Sequence, residues 1–376
     1  MDENSRPGVT SALAAAWANT MSGVEQRGGL VVAHGAPPLP VGTAGLLRRE
    51  EREEAEEALH APGATGAHGA GRRAQEEEPD ALRTCFERDR DRIIHSKAFR
   101  RLAGKTQVFV HPADHQRTRL THALEVAQVA TSLARAARLN VALVEAIALG
   151  HDCGHGPGGH ASEPVFDAVL PGGFHHAPWG ADVVLAPLNL CAETLDGIRG
   201  HSWSRPAPRT PEGAVVSWAD RIAYCAHDLE DAVATGIVAP GDLPAEVAER
   251  AGRTRSRQLD YFISALLEGI AAHGVVAMAP EPAAALASLR SFNYERIYLR
   301  PEALAQGRAV ARVLEALVEH LARRPATLPD AASVEDPVEA AVRYVSGMTD
   351  HYAFSIAQRE LDWPAEELPQ GIDLVG

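Results

Sequence analysis

Helical periodicity is the feature that most constrains how this chain folds. Between residues 117 and 139, apolar side chains recur every three or four positions, and Asn140 then interrupts the pattern. The same kind of pattern recurs in four further segments, namely residues 141–152, 214–234, 303–322 and 338–357. Alternating apolar and polar runs bounded by turn residues are scarce. The sequence therefore predicts an all-α fold, and no internal repeat is evident.

The first 46 residues differ from the rest of the chain. They mix Gly, Ala, Pro and Ser without a sustained period, and the Pro-rich stretch at 37–40 is typical of an extended linker. We expect this segment to be poorly ordered and residues 47–376 to form one domain, with a catalytic core at about 83–236 and a C-terminal helical part at about 240–360. The charged run RREEREEAEE at 48–57 fits a solvated tail better than an exposed helix.

Charge and composition exclude several functional classes. The formal charge of −14 argues against a general nucleic-acid coat or a polybasic membrane surface, because both need a net positive face. No run approaches the ~20 apolar residues that cross a bilayer, and the N-terminus lacks the features of a secretion signal, so we expect a cytoplasmic protein. The four cysteines form no C-x-x-C pair and are expected to be reduced.

Residues 83–119 depart from this acidic average. Ten basic residues stand against four acidic ones, which gives a local balance of +6. Such a cluster would attract a polyphosphate, although part of it fits a solvated helix face.

Two phosphate-binding motifs are excluded by their context. The GKT sequence at 104–106 resembles the end of a P-loop, but Phe99 occupies the position where the motif needs glycine. The segment GHGPGG at 154–159 satisfies G-x-G-x-x-G, yet it follows a helical pattern, contains Pro157 and lies in no strand–helix unit. Neither motif therefore predicts a nucleotide site.

Histidines are concentrated in one part of the chain. Eleven of the 17 fall between His95 and His227, and histidine is both the commonest metal ligand and the side chain that titrates near neutral pH. Candidate metal ligands stand on three helical segments, and they are His122, His151, Asp152 and Asp220. Two antiparallel helices with a short connection would bring the first three together, and such a mixed nitrogen and oxygen set suits Mn, Fe, Zn or Mg. The alternative is a satisfied core histidine beside a chance aspartate.

A second set of polar residues follows directly. His155 and His160 flank a glycine-rich turn, and Glu163 lies three residues beyond His160, on the same face if the segment is helical. A histidine oriented by a carboxylate is the arrangement expected of a general acid or base. An ion pair at the start of a helix is the alternative interpretation.

The third helical segment carries a polar stripe that begins at Asp220. Tyr224 and Asp228 follow at positions i+4 and i+8 of the same face. A stripe of this kind is usually a solvated face. If Asp220 binds a metal, however, the stripe points into the site, and Arg221 and Tyr224 become candidate contacts to phosphate and sugar.

Four blocks, in order and spacing, carry a family resemblance: RDRDRIIHSKAFRRLAGKTQVF, RTRLTHALEVAQVA, LNVALVEAIALGHDCGHGPGGHASE and ADRIAYCAHDLEDA. Together they resemble the HD-domain deoxynucleoside triphosphate (dNTP) triphosphohydrolases, the dGTPase-like proteins. The resemblance extends from about residue 47 to about residue 358, and the late segment YVSGMTDHYAF is similar to the family's C-terminal signature. It implies an HD-domain helical bundle with additional C-terminal helices.

The resemblance also implies roles for individual residues. The implied metal ligands are His122, His151, Asp152 and Asp220. The implied catalytic groups are His160 and Glu163, with His155 contacting phosphate. The implied substrate contacts are Gln107, Arg119, His176, Arg221, Tyr224 and Asp228. The family's reaction is attack of water on the α-phosphorus of a dNTP, which gives a deoxynucleoside and inorganic triphosphate with the help of a divalent metal ion. We further expect a homo-oligomer with no membrane and no stable nucleic-acid partner.

Two alternative functions remain open at this point. An HD-type phosphomonoesterase or phosphodiesterase would share the metal set without needing the basic cluster. A catalytically weakened nucleotide-binding regulator is the other alternative, because relatives carry Phe-Glu-His-Asn where this chain has Phe-His-His-Ala at 174–177.

Overall fold

The structure, a computed structural model, describes residues 7–21, 23–26, 28–42, 45–112, 114–329 and 335–371. The chain divides into two compact units, Met1–Leu47 and Arg48–Gly376. Sixteen α-helices lie within the described residues: α1 (Pro7–Met21), α2 (Arg49–Leu59), α3 (Cys85–His95), α4 (Lys97–Arg101), α5 (Arg119–Ala137), α6 (Val141–Gly150), α7 (Glu163–Val169), α8 (His176–Trp179), α9 (Ala192–Gly200), α10 (Pro211–Ala234), α11 (Ala245–Arg250), α12 (Arg255–His273), α13 (Pro280–Asn293), α14 (Pro301–Ala322), α15 (Pro337–Ser346) and α16 (Asp350–Leu361). The prediction of an all-α fold is confirmed.

The N-terminal unit contains α1 and a small hairpin, in the segment that we expected to be poorly ordered. Strands β1 (Val24–Gln26) and β2 (Leu30–Val32) pair antiparallel. Gly28 and Gly29 in the connecting turn both have positive φ, a conformation that glycine adopts at little cost. Alanine-rich sequence in α1 favours the helix.

The charged run at 48–57 forms helix α2, so the interpretation as a solvated tail is wrong. Arg49 is nearly buried and pairs with Glu53 at 2.7 Å. Arg52 donates two hydrogen bonds to Glu87 of α3, at 2.6 and 3.0 Å. These partners stabilise the helix, and Glu87 lies outside the charged run that suggested a tail.

An antiparallel hairpin of α5 and α6, crossed by α10, forms the centre of the larger unit. Arg138 ends α5 in the left-handed conformation, and the Asn140 side chain accepts a hydrogen bond from Leu143 N at 3.1 Å to begin α6. Ile147 and Ile222 are fully buried where α6 and α10 meet, and burial of each aliphatic side chain contributes about 1.5–3 kcal/mol. The hairpin brings the start of α5 beside the end of α6.

Helix α9 packs unusually close to α6 because a glycine faces α6. A Cβ atom at Gly197 would lie only 2.3 Å from Ile147 Cδ1, so a larger residue there would push the helices apart. The close packing places His201, which follows α9, beside His151, with 4.9 Å between the ring centroids.

Helices α14, α15 and α16 share a second apolar cluster that includes Val310, Leu314, Val345 and Phe354. The single helix expected over 338–357 is divided into α15 and α16. The Thr349 side chain accepts a hydrogen bond from Tyr352 N and thereby begins α16 anew. None of the helices in the described residues is long and apolar enough to span a bilayer.

Candidate metal and catalytic site

The four predicted metal ligands meet where α5 begins and α6 ends. His122 lies in the first turn of α5. His151 and Asp152 follow α6 directly, and Asp220 lies in the middle of α10. The packing of α10 across the α5–α6 hairpin therefore brings together residues that are about 100 positions apart.

The imidazole nitrogens and carboxylate oxygens of these four side chains, which could bind a metal ion, lie close together. His122 Nε2 is 3.1 Å from Asp220 Oδ1 and 4.0 Å from Asp152 Oδ2. His151 Nε2 is 3.3 Å from Asp152 Oδ1 and 3.7 Å from Asp220 Oδ1. All four side chains are largely buried.

The residues present fit a divalent metal ion. His151 Nδ1 donates a hydrogen bond to the Ala148 carbonyl at 2.7 Å, so its lone pair is on Nε2. That Nε2 atom is buried and has no hydrogen-bond partner among the described residues. A buried, orientated imidazole lone pair beside two carboxylates is a suitable ligand set for such an ion.

The electrostatics of the cluster keep its carboxylates ionised. Burial opposes ionisation of Asp152, but Arg119 and the neighbouring imidazoles of His151 and His155 hold its pKa well below the ordinary value. Burial likewise opposes ionisation of Asp220, but the hydrogen bond from His122 holds the pKa of Asp220 below its usual range. Both side chains are therefore negatively charged ligands at neutral pH.

Arg119 connects this cluster to the neighbouring cavity. Its Nη1 atom donates a hydrogen bond to Asp152 Oδ2 at 2.7 Å, and the side chain is almost completely buried. Its Nε atom is buried without a hydrogen-bond partner in the described part of the chain. Arg119, which the resemblance implied as a substrate contact, thus also pairs with an implied metal ligand.

A row of histidines is organised around Glu163. Glu163 Oε1 lies 2.6 Å from His160 Nδ1 and 3.0 Å from His176 Nδ1. Burial opposes ionisation of Glu163, but the hydrogen bonds from His160 and His176 lower its pKa far below the ordinary value. The His160 side chain is 70% exposed, and because its Nδ1 is bound to Glu163, its Nε2 remains available for proton transfer.

His201 continues this row on the buried side. His201 Nδ1 donates to the Ile198 carbonyl at 2.7 Å, and its Nε2 lies 3.2 Å from His176 Nε2. Burial, with the nearby rings of His151 and His176, lowers the pKa of His201 to about 3.

His155 stacks on His176, with 3.8 Å between the ring centroids. Its Nε2 atom lies 3.2 Å from Asp152 Oδ1. Burial, together with the nearby Arg119 and His176, holds the pKa of His155 well below its ordinary value. The ring is therefore neutral at pH 7. It lies between two groups of side chains: the metal-ligand cluster, which is His122, His151, Asp152 and Asp220, and the Glu163 row, which is His160, Glu163, His176 and His201.

A cavity of about 620 Å³ joins these groups. Gln107, which the resemblance implied as a substrate contact, lines it and has a buried Oε1 without a hydrogen-bond partner among the described residues. Four arginines also line the cavity, and they are Arg119, Arg221, Arg290 and Arg308. The Arg221 guanidinium lies over the Trp203 ring, 3.4 Å from its centroid.

The polar stripe of α10 faces this cavity, so its interpretation as a solvated face is wrong. Tyr298 donates a hydrogen bond to Asp228 Oδ2 at 2.6 Å, and Arg290 Nε donates one to the Tyr224 hydroxyl at 2.9 Å. Asp228 Oδ1 is buried without a partner among the described residues, and burial raises the pKa of Asp228 to about 7. The cavity thus has a second polar end, which is suited to hydroxyl groups.

The basic cluster at 83–119 contributes less to the cavity than we expected. Besides Arg119, five of its ten members form ion pairs: Arg83 with Asp80 and Asp91, Arg90 with Asp91 and Glu145, Arg88 and Arg92 with Glu77, and Arg117 with Glu125, Glu230 and Asp231. In the described part of the chain, Arg119 is the one member that lines the cavity. The other three arginines of the cavity lie outside this cluster, on α10, α13 and α14.

Sequence reasoning missed several residues of the site. They are His201, Trp203, Arg290, Tyr298 and Arg308. Clustering of histidines was the one available signal for His201. The others carry no local pattern, because they reach the cavity only through the packing of α9 and α13 against α10 and of α14 against residues 159–162.

Sequence comparisons relate this chain to known proteins. The sequence profile of the HD domain matches residues 119–225, and that of the phosphohydrolase-associated domain matches residues 276–359. A deoxyguanosinetriphosphate triphosphohydrolase-like protein of Caldanaerobacter subterraneus is 42% identical over 311 residues, covering 80% of this chain and 91% of the relative. Like-named proteins of Clostridium perfringens and Clostridium tetani are 40% and 38% identical, each covering 74% of this chain and 87% and 85% of the relative.

These matches include the segments that carry the metal-ligand cluster, the Glu163 row and most of the cavity wall. HD domains bind divalent metal ions, as the His and Asp cluster of this chain also could. The chain belongs to the deoxyguanosinetriphosphate triphosphohydrolase-like family of HD-domain phosphohydrolases.

Proposed function

We propose that this protein is a metal-dependent dNTP triphosphohydrolase, which releases intact triphosphate and a deoxynucleoside. The observation that carries the proposal is that one cavity is lined by three of the candidate metal ligands, by His160, which binds Glu163, and by four arginines. The names of the relatives support a nucleoside triphosphate as the substrate class.

The distribution of charge along the cavity supports a triphosphate rather than a single phosphate. Arg119 lies at the metal-ligand end, and the other three arginines belong to helices α10, α13 and α14. Four guanidinium groups offset much of the charge of a triphosphate, and each forms hydrogen bonds suited to phosphate oxygens. Tyr224 and Asp228, which the resemblance implies as substrate contacts, lie at the other polar end and would meet the deoxyribose there.

The proposed reaction forms a bond from the water oxygen to the α-phosphorus and breaks the bond from that phosphorus to the 5′ oxygen. His122, His151, Asp152 and Asp220 would hold the divalent ion, which when bound supplies a Lewis acid for an α-phosphate oxygen. His160 transfers a proton at Nε2, either from the attacking water or to the departing 5′ oxygen. Glu163 fixes the His160 tautomer and stabilises its protonated form. Arg119 and His155 are placed to contact the phosphate beside the cluster.

Product analysis tests this proposal. The purified protein is incubated with each of the four dNTPs and with GTP in the presence of Mn, and the products are separated by chromatography. We expect a deoxynucleoside and intact triphosphate in equal amounts, and no product after metal removal. Sequential release of orthophosphate, or turnover of deoxynucleoside monophosphates or cyclic nucleotides, would support a phosphomonoesterase or phosphodiesterase instead. Thermal stabilisation by dNTP without consumption would support a nucleotide-binding regulator.

We also propose that the protein is a cytoplasmic homo-oligomer without a stable nucleic-acid partner. The acidic charge of −14 supports the absence of a nucleic-acid partner, since a binding face needs net positive charge. Light scattering coupled to size exclusion, with and without single-stranded DNA, tests the oligomeric state and the absence of a nucleic-acid partner. A monomer, or co-elution with DNA at 150 mM salt, would contradict them.

A further inference from the structure

The C-terminal segment reaches the catalytic turn through one carboxylate. Asp350, the first residue of α16, is 4% exposed. Its Oδ1 atom accepts a hydrogen bond from Gly158 N at 2.8 Å, within the turn between His155 and His160. Its Oδ2 atom accepts two hydrogen bonds from Thr106, from the backbone N at 3.0 Å and from the hydroxyl at 2.5 Å. A single side chain thereby joins three separate parts of the larger unit.

Each end of this connection lies next to a group of the proposed reaction. Thr106 forms an isolated antiparallel bridge with Thr118, and Arg119 at the start of α5 follows directly. Gly158 precedes His160 by two residues and has a φ of +71°, a left-handed conformation that most side chains adopt at a cost. Asp350 is the hydrogen-bond partner of the Gly158 N–H among the described residues.

A second buried contact reinforces the same connection. The Lys105 ammonium group donates hydrogen bonds to the Ser346 carbonyl, at 2.9 Å, and to the His155 carbonyl. Lys105 therefore connects the end of α15 to His155, where the catalytic turn begins. Asp350 connects the start of α16 to Gly158, in the middle of the same turn. Two charged groups, both buried, therefore hold the turn, one at its start and the other near its middle.

We propose that Asp350 is a positioning residue that holds the turn from His155 to His160 in the conformation needed for proton transfer by His160. The inference rests on the proposed function, and it assigns a role to the phosphohydrolase-associated segment, which otherwise contributes to the cavity wall. Asp350 itself does not line the cavity in the described part of the chain. Its effect on the reaction therefore passes through Gly158 and Thr106.

Replacement of Asp350 by asparagine tests the proposal. The amide offers one acceptor oxygen and turns a donor toward the other N–H group, so one of the two connections breaks. We expect kcat to fall by about tenfold to a hundredfold, because a misplaced catalytic group loses its orientation. We expect KM for dNTP and the bound-metal content to stay within about twofold, since the metal ligands and the cavity arginines are untouched.

Thr349→Ala provides the matched control. It removes the side-chain cap of the same helix, the hydrogen bond from Tyr352 N to Thr349 Oγ1, without touching Gly158 or Thr106. We expect its kcat to remain within about twofold of the wild-type value. Equal losses of kcat in both variants would overturn the proposal, because they would indicate that the stability of α16 alone matters.

Hydrogen exchange gives a readout that does not depend on activity. We expect the amides of residues 156 and 158–161 to exchange at least about tenfold faster in D350N than in the wild type or in T349A, because exchange follows local opening. Unchanged exchange together with unchanged kcat would overturn the inference. Inactive wild-type protein with accelerated exchange in D350N would instead contradict the proposed function alone.

If D350N does not fold, Thr106→Val provides a second test. It removes only the hydrogen bond from the Thr106 hydroxyl to Asp350 and should show a smaller effect in the same direction. No effect would overturn the proposal.

Discussion

The two ends of the cavity are built in different ways. At the metal-ligand end, carboxylates and imidazoles already contact one another, and Arg119 pairs with Asp152 at 2.7 Å. At the other end, Asp228 has a buried oxygen without a partner among the described residues. The Arg308 side chain, which also lines the cavity, forms no ion pair or hydrogen bond with the described residues. The groups of the first end are already close together, as the proposed ion site requires, whereas the second end has polar groups whose partners would come from the proposed substrate. Substitutions at the two ends should consequently have different effects.

The largest effect is expected at the metal-ligand end, with Asp220→Asn. Loss of a negatively charged ligand should remove the bound metal and lower kcat on the order of a thousandfold, which corresponds to several kcal/mol. Elemental analysis of the purified protein and steady-state kinetics measure both quantities. Glu230→Gln, on the same helix and at the edge of the Arg117 ion pairs, is the control and should keep its metal. Unchanged metal content in D220N would refute the assignment of that ligand.

His160→Gln should separate proton transfer from metal binding. Loss of a general acid or base typically costs about 10² to 10⁴ in rate, and we expect that loss in kcat with unchanged metal content and KM. His175→Gln is a matched control, because His175 bonds Ser204 and does not line the cavity within the described residues. Equal losses in the two variants would show that His160 has no special role.

The sequence predicted the metal-ligand end of the cavity better than the other end, which contains Tyr224 and Asp228 and is here called the substrate end. The reason is physical. His122, His151 and Asp152 belong to two consecutive helices, so a short connection is enough to bring them together. Arg290 and Tyr298 reach the cavity only after α13 has packed against α10, which no local pattern indicates. Similarly, the excess of basic residues at 83–119 was counted without partners such as Glu77 and Glu125, which lie outside that window.

Helix boundaries show the same limit. Apolar spacing predicted α5, α6, α10 and α14 closely, because each buries a continuous face. The same spacing did not reveal the interruption between α15 and α16, where Asp350 begins a new helix and binds Gly158. It also did not reveal α2, whose helical form depends on the contact of Arg52 with Glu87.

The substrate end should impose a pH dependence on stability, which is expected to be of intermediate size. Burial raises the pKa of Asp228 from 3.8 to about 7. Between these values the folded protein keeps a proton that the unfolded chain has lost, so stability is fully present below pH 4 and is lost as the pH rises through 7. The slope is at most about 1.4 kcal/mol per pH unit for one proton. Urea denaturation of the metal-free wild type and of Asp228→Asn should differ by this slope, because buried histidines such as His201 add slopes of opposite sign that are common to both proteins. An identical slope in the variant would contradict the assignment.

The smallest effect is expected from a charge change on α14. Arg308 and Arg312 are both exposed and lie one turn apart, but in the described part of the chain only Arg308 lines the cavity. We expect Arg308→Gln to raise KM for dNTP about fivefold, or about 1 kcal/mol, with an effect that shrinks as salt increases. Arg312→Gln makes the same charge change and should leave KM unchanged. Equal KM values for the two variants would place the triphosphate elsewhere.

The central claim is that water attacks the α-phosphorus of a dNTP beside the metal-ligand cluster. Hydrolysis of dGTP in ¹⁸O-labelled water with Mn, followed by mass spectrometry of both products, tests it most directly. The account predicts one ¹⁸O atom in the released triphosphate and none in the deoxyguanosine. Label in the 5′ hydroxyl group, or release of labelled orthophosphate in place of triphosphate, would contradict it.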